Sequence, residues 1–200
     1  MGPLELELEL QQRLELIVRA SPWLLETLET IRSLGLPDWY LAAGAIRNTV
    51  WDALHDSISL RPQSDLDVIY FDPADAPNEA EDILRATLPE YIWEVTNQAT
   101  VHRWQSMATG RDIAAYPSIA ASMASWPETA TAVGVRVNHR GAMEFVAPHG
   151  LGDLFALTLR PSPAASDPRA YTSRLSKKSW KLRWPRLIVV QADGCDVTPC

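Results

Sequence analysis

Cysteine is nearly missing from this 200-residue chain: only Cys195 and Cys200 occur, both close to the C-terminus. A framework of spaced cysteines is therefore excluded, and a reducing cytoplasm is the expected location. The pair could hold a metal, form a disulfide or stay as inert thiols in a frayed tail. Long apolar runs are also missing. None approaches the roughly 18 residues of a membrane span, so no membrane partner is expected. The opening MGPLELELELQQR is acidic and lacks the basic-then-apolar order of a signal peptide. Positive charge is in deficit, with 18 Lys and Arg against 25 Asp and Glu and a net charge of −7. That argues against a nucleic-acid footprint over the whole surface, though not against a local one. What is present is ordinary: 46% hydrophobic and 22% charged residues, enough to bury the core of one compact domain.

The pattern along the chain predicts helices and strands in alternation. LELELEL has period two, but Leu and Glu both favour helix, and Leu10, Leu14, Ile17 and Val18 follow at helical spacing. A helix is expected over roughly residues 6 to 20. Ser21-Pro22 restarts the chain into a second helix, which Gly35 and Pro37 end near Leu34. DWYLAAG reads as a short buried strand, AIRNTVWDALHD as a helix, SDLDVIYFD as a strand, EAEDILRATL as a helix and YIWEVTN as a third strand. QATVHRWQSM begins another helix. Beyond it come a short helix closed by Pro127, a hairpin in AVGVRVNHRGAMEFVAP turning over Asn138 to Gly141, and a last helix over about residues 170 to 180. The fold class expected is α/β (α+β): a mixed sheet flanked by helices, with a small C-terminal hairpin and helix extension. Residues 1–22 form an N-terminal helix, 23–192 the domain with its core at about 37–105 and extension at about 116–192, and 193–200 a tail.

Three pieces carry chemistry. In SDLDVIYFD the side chains alternate, so Asp65 and Asp67 leave one face of the strand while Leu66 and Val68 leave the other. Two adjacent like charges repel, and a divalent cation such as Mg²⁺, which prefers oxygen ligands, would relieve the repulsion. The alternative is a pair of acids capping a turn or lying on a solvated strand end. In AAGAIRN a glycine sits between a strand and a helix, where backbone can approach a phosphate closely and helix N–H groups point at it. WEVTNQ is the third strand, in which alternation sets Glu94 with Thr96 on one face, where Glu94 could equally be a solvent-facing residue. The eight tryptophans are mostly core, although Trp93 or Trp104 could stack a base.

LAAGAIRNTVWDAL followed by SDLDVIYFD resembles the polymerase-β-type nucleotidyltransferase superfamily, which carries a Gly-Gly or Gly-Ser turn, a helix and an acid-x-acid strand. More specifically, GAIRNTVWDALH, DLDVIYFD, VTNQATVH, WPETATAVGVRV and APHGLGDLF resemble a bacterial nucleotidyltransferase-like family of about this length. The likeness runs from about residue 23 to 190. It implies a nucleotidyltransferase fold and transfer of a nucleoside monophosphate from an NTP to a hydroxyl acceptor. Mg²⁺, or Mn²⁺ in its place, would be held by Asp65, Asp67 and Glu94, with one ion on the triphosphate and one at the attacking hydroxyl. The same three carboxylates are the catalytic candidates. Gly44 and Ala45 would cradle phosphates. Arg47 would contact a phosphate or pair with Asp65 or Asp67, and Asn48, Asn97, Gln98 and His102 would line the nucleotide or acceptor pocket. Two positions depart from the superfamily turn: its first glycine is Ala43, and the acid after the arginine is Asn48.

From Arg169 to Arg186 the chain holds seven basic residues and no acid. The stretch could receive a polyanion, or it could be a solvated face balancing the acidic N-terminal region. A small molecule, a protein or RNA all remain open as acceptor. The contrasting reading is a non-catalytic nucleotide-binding or protein-interaction module on the same fold.

Overall fold

The structure is a computed structural model and describes residues 2–191. Helix α1 (Pro3–Arg19) opens with proline at its first position, and Glu5 accepts a 2.8 Å hydrogen bond from the Gly2 N–H. Leu4, Leu6 and Leu8 of LELELEL reach solvent, because the helix buries a face only from Leu10 through Leu14 to Val18. Helix spacing, not the period-two run, decides the burial. Helix α2 (Pro22–Ser33) buries Trp23, Leu24, Leu28 and Ile31, and Gly35 leaves it with φ +67°.

The remaining elements follow in order. Strand β1 (Tyr40–Ala42) leads into α3 (Gly44–Leu54), β2 (Leu66–Tyr70), α4 (Ala80–Thr87), β3 (Trp93–Asn97), α5 (Val101–Thr109) and α6 (Ile119–Ala124). A 3₁₀ turn (Thr129–Thr131) precedes β4 (Gly134–Val137) and β5 (Met143–Val146). After α7 (Gly152–Phe155) and β6 (Thr158–Leu159), α8 (Pro168–Lys177) and α9 (Trp180–Arg183) lead to β7 (Ile188–Val189). The single last helix expected over 170 to 180 is thus two short helices.

Five strands form one mixed sheet in the order β3-β2-β1-β4-β5, and β6 pairs with β7 in a separate parallel ribbon. β2 and β3 run parallel; the other neighbours in the large sheet are antiparallel. The hairpin β4–β5 turns at Gly141 (φ +79°) and joins the sheet through β4, so the sheet takes strands from both halves of the sequence.

Strand alternation sorts the two faces. Leu41, Leu66, Val68 and Val135 enter the main core with α1, α2 and α3, where Leu14, Leu24, Leu28 and Ile31 are fully buried. Each such aliphatic side chain is worth about 1.5–3 kcal/mol. Tyr40, Ala42 and Ile69 leave the other face and pack with Ile119, Met123 and Ala132. Asp65 and Asp67 belong to that second face, beside Ile69.

The C-terminal elements are tied on by polar contacts as well as packing. Buried Asp52 of α3 accepts hydrogen bonds from Ser59 Oγ (2.6 Å), Arg183 Nη2 (2.6 Å) and Trp184 Nε1 (2.8 Å). The Trp184 ring meets Trp51 edge to face, with centroids 5.1 Å apart. Among the described residues no helix is long and apolar enough to cross a membrane.

Candidate active site

The turn between β1 and α3 bends at Ala43, whose φ of 53° and ψ of −123° are values glycine adopts easily and alanine does not. Its N–H donates to Val133 O at 3.1 Å, which fixes the turn against the approach to β4. Gly44 starts the helix. A Cβ there would stand 2.7 Å from Ser64 Oγ, so the glycine lets the Ser64 loop close over the helix start. The first N–H groups of α3, from Gly44 and Ala45, have no partner within the helix and carry its positive dipole end.

Beside this turn three carboxylates converge. The parallel pairing of β2 and β3 sets Asp67 opposite Glu94, and Asp65 stands one alternation earlier on the same face. One oxygen from each of Asp65, Asp67 and Glu94 lies within 4.8 Å of the others. Asp65 and Glu94 are exposed, while Asp67 is set deeper. Burial, followed by the charges of Asp65 and Glu94, pushes the Asp67 carboxyl up to about 7. An all-oxygen set whose innermost acid resists ionisation because of burial and then its like-charged neighbours fits a hard divalent cation.

The triad opens on a cleft of about 480 Å³. Its opposite wall joins Arg47 of the AAGAIRN turn to Glu128, Thr131 and Arg174 from the second half of the sequence. Arg47 is buried; its Nη1 donates to Thr131 Oγ1 at 2.7 Å and its Nη2 to Asn48 Oδ1 at 3.0 Å. The guanidinium lies over the rings of Trp51 and Trp180. Burial lowers its pKa to about 10, against the opposing charge of Glu128. Glu128 is wholly buried, and its Oε1 accepts a 2.6 Å hydrogen bond from Arg174 Nε. Its Oε2 finds no partner among the described residues. Glu128 and Thr131 were not singled out from the sequence, and Arg174 only as one of the seven basic residues between 169 and 186. The available signal was WPETATAVGVRV, the segment of the resemblance that contains Glu128 and Thr131.

The structure brings Gly44, Arg47 and Gln98 to the cleft together with Asp65, Asp67 and Glu94. It does not bring Asn48, Asn97 or His102 to its wall. Asn48 lies behind the turn, bridging Arg47 to Ser64 Oγ with a long 3.5 Å contact to the latter. Asn97 is committed to the loop after β2: its Oδ1 accepts from the Asp72 and Ala99 N–H groups, and its Nδ2 donates to Asp72 O and Asp75 Oδ1. His102 Nδ1 is buried without a partner among the described residues. Ala45 follows Gly44 with its methyl in the core. Arg47 hydrogen-bonds Thr131 and Asn48 rather than either aspartate. Of the two tryptophans considered for stacking, Trp93 is buried, donating to Leu88 O, whereas Trp104 stands on the cleft wall.

The basic stretch divides. Arg174 and Lys178 reach the cleft, Arg183 is paired with Asp52, and Arg186 lies 4.0 Å from Asp56. Cys195 and Cys200 fall outside the described residues.

Comparison with known proteins places this geometry. A solved NMR structure, described as revealing a CCA-adding enzyme head domain, is 38% identical with a TM-score of 0.76, over 89% of this chain and 94% of that one. Two structures of tRNA-processing enzymes align at 16% and 15% identity with TM-scores of 0.42 and 0.49. This chain spans only 37% and 45% of those proteins, and likeness at that level adds nothing to the assignment. No curated protein matches the sequence at a significant level. A family model described as "Nucleotidyltransferase" matches residues 29–189. A likeness that covers the turn, the acid-x-acid strand, the third strand and Glu128 together leaves one assignment: the chain belongs to this nucleotidyltransferase family.

Proposed function

We propose that the protein transfers a nucleoside monophosphate from an NTP to a hydroxyl acceptor, with Mg²⁺ (or Mn²⁺) held by Asp65, Asp67 and Glu94. The observation that carries this reading is the meeting of three carboxylates within 4.8 Å beside the start of α3. When bound, the cation supplies positive charge to the phosphate oxygens and to the attacking hydroxyl. The chain's own groups do the positioning. Gly44 and Ala45 present N–H groups to the phosphates at the positive end of the α3 dipole. Lys178 adds positive charge to the wall, offsetting charge on the triphosphate and on the leaving pyrophosphate, while Arg174 beside it is paired with Glu128. Glu94, exposed in the triad, would help to activate the attacking hydroxyl by accepting its proton. Fixed geometry of this kind is what phosphoryl transfer chiefly asks of a protein.

A non-catalytic binding module needs no third carboxylate, so the convergence of Glu94 with the aspartates favours turnover. The acceptor is a small molecule, a protein or RNA. The cytoplasm is the setting that fits the near-absence of cysteine.

Calorimetric titration of each of the four NTPs, with Mg²⁺ and with EDTA, tests the reading. Metal-dependent binding of an NTP is expected in the wild type and lost in folded Asp65→Asn/Asp67→Asn. Binding that persists unchanged in EDTA or in the double variant overturns the metal site.

A further inference from the structure

On the second face of the sheet, β3 turns Glu94 and Thr96 into the cleft, and Gln98 continues the wall toward α5. There Val101, Gln105 and Ala108 follow at helical spacing along one side of α5, with Trp104 beside them. Three of these side chains are unusual for what surrounds them. Trp104 lines a concave wall yet remains 55% exposed. Gln98 and Gln105 are 4% and 6% exposed, and each has its carbonyl oxygen taken. Ser122 Oγ donates to Gln98 Oε1 at 2.7 Å, and Tyr116 OH donates to Gln105 Oε1 at 2.8 Å.

Those hydroxyls fix which way the two amides face, and neither Nε2 has a hydrogen-bond acceptor among the described residues. A buried amide with one end pinned and the other unspent is a donor held ready for a ligand. The site therefore offers an open indole face with two oriented N–H donors on the same wall. The chemistry complementary to it is a planar heterocycle carrying acceptor atoms on its edge: the ring supplies a face for stacking, and its carbonyl oxygens or ring nitrogens meet the amides.

We infer that Trp104, Gln98 and Gln105 form a nucleobase subsite that continues the cleft from the carboxylate triad. The inference rests on the nucleotidyl-transfer reading above. The base arrives on the donor NTP or on a nucleoside-bearing acceptor; the recognition chemistry is the same for both. Stacking on an aromatic side chain is worth about 1–3 kcal/mol per base, or about 5- to 150-fold in affinity. Trp104 is half exposed, so its replacement should leave the fold intact, and Phe should serve where Ala does not.

The test measures dissociation constants for Mg²⁺ with inorganic triphosphate, with each NTP, and with a nucleoside or dinucleotide lacking a triphosphate. Wild type, Trp104→Ala, Trp104→Phe and Gln98→Leu/Gln105→Leu are compared, with melting curves as the control for folding. The donor arm supports the subsite if the wild type prefers an NTP to inorganic triphosphate by at least tenfold, and Trp104→Ala erases that preference while Trp104→Phe keeps most of it. The acceptor arm supports it if the base-bearing compound alone binds and shows the same ranking of variants. Triphosphate binding that depends on the aspartates, with no dependence on Trp104 in either arm, overturns the subsite alone. Failure of the wild type to bind triphosphate or NTP at all overturns the nucleotidyl-transfer reading and the subsite with it.

Discussion

Asp67→Asn should stabilise the metal-free protein, and the amount should depend on pH. In the fold this carboxyl titrates near 7 instead of at its ordinary 3.8 because burial, Asp65 and Glu94 all oppose its charge. The native state therefore binds the proton more tightly than the unfolded chain. The stability this contributes is fully present below about 4 and is lost as pH rises to about 7. Some three pH units at ~1.4 kcal/mol each set a ceiling of about 4 kcal/mol. Solvent screening and relaxation of the two exposed neighbours reduce the expected gain to about 1–3 kcal/mol at pH 8. Asparagine has the shape of the protonated acid without the charge, so near pH 4 the two proteins should unfold alike. For a chain of this size the gain at pH 8 corresponds to a rise of roughly 3–10 °C in melting temperature. Denaturant or thermal unfolding in EDTA at pH 4.5, 6 and 8 reads it directly. A variant less stable than wild type at pH 8, or a difference that does not grow between pH 4.5 and 8, would refute the electrostatic reasoning. Mg²⁺ added at pH 8 should raise the melting temperature of the wild type and not that of the variant.

Three further outcomes follow from particular contacts. Ala43→Gly removes a positive-φ strain and should add about 0.5–2 kcal/mol in chemical denaturation; a loss of stability would mean the turn is not strained there. Gly44→Ala drives a methyl to within 2.7 Å of Ser64 Oγ, so it should cost about 1–2 kcal/mol. Gly44→Ala/Ser64→Ala should recover most of that while NTP binding stays weakened, and a purely additive double variant contradicts the clash. Asp52→Ala strands Arg183 and the Trp184 indole N–H and should cost about 2–4 kcal/mol by denaturant melts; a loss below 1 kcal/mol would make that network decorative.

The shared face of Asp65 and Asp67 was legible because strand alternation is a local rule, whereas Glu94 came from the family resemblance and its register opposite Asp67 only from the structure. Once β2 and β3 pair, Asp67 must face the same way as Glu94. The turn at Gly44 was legible for a similar reason, since a glycine between a strand and a helix has few uses. Ala43 was visible as a departure, and the structure shows its consequence: an alanine in a backbone conformation suited to glycine. The far wall was not legible. Glu128 meets Arg174 across 46 positions of sequence and Asp52 meets Arg183 across 131, pairings made only when the C-terminal helices fold back. Those pairings also explain why the basic stretch looks like a polyanion site in the sequence, although part of its charge is spent internally on buried acids. Asn97 shows the limit of position-based reasoning. It stands beside the cleft in sequence, but four hydrogen bonds commit its amide to the loop after β2.

The central claim is that Asp65, Asp67 and Glu94 hold a divalent cation on which an NTP is seated. Electron paramagnetic resonance of Mn²⁺, titrated into the protein with and without a non-hydrolysable NTP at pH 8, tests it most directly. The account predicts bound Mn²⁺ that tightens when the nucleotide is present, and that is lost in Asp65→Asn/Asp67→Asn and weakened in Glu94→Gln while all variants stay folded. Mn²⁺ bound equally by the double variant, or bound without any effect of the nucleotide, would contradict it.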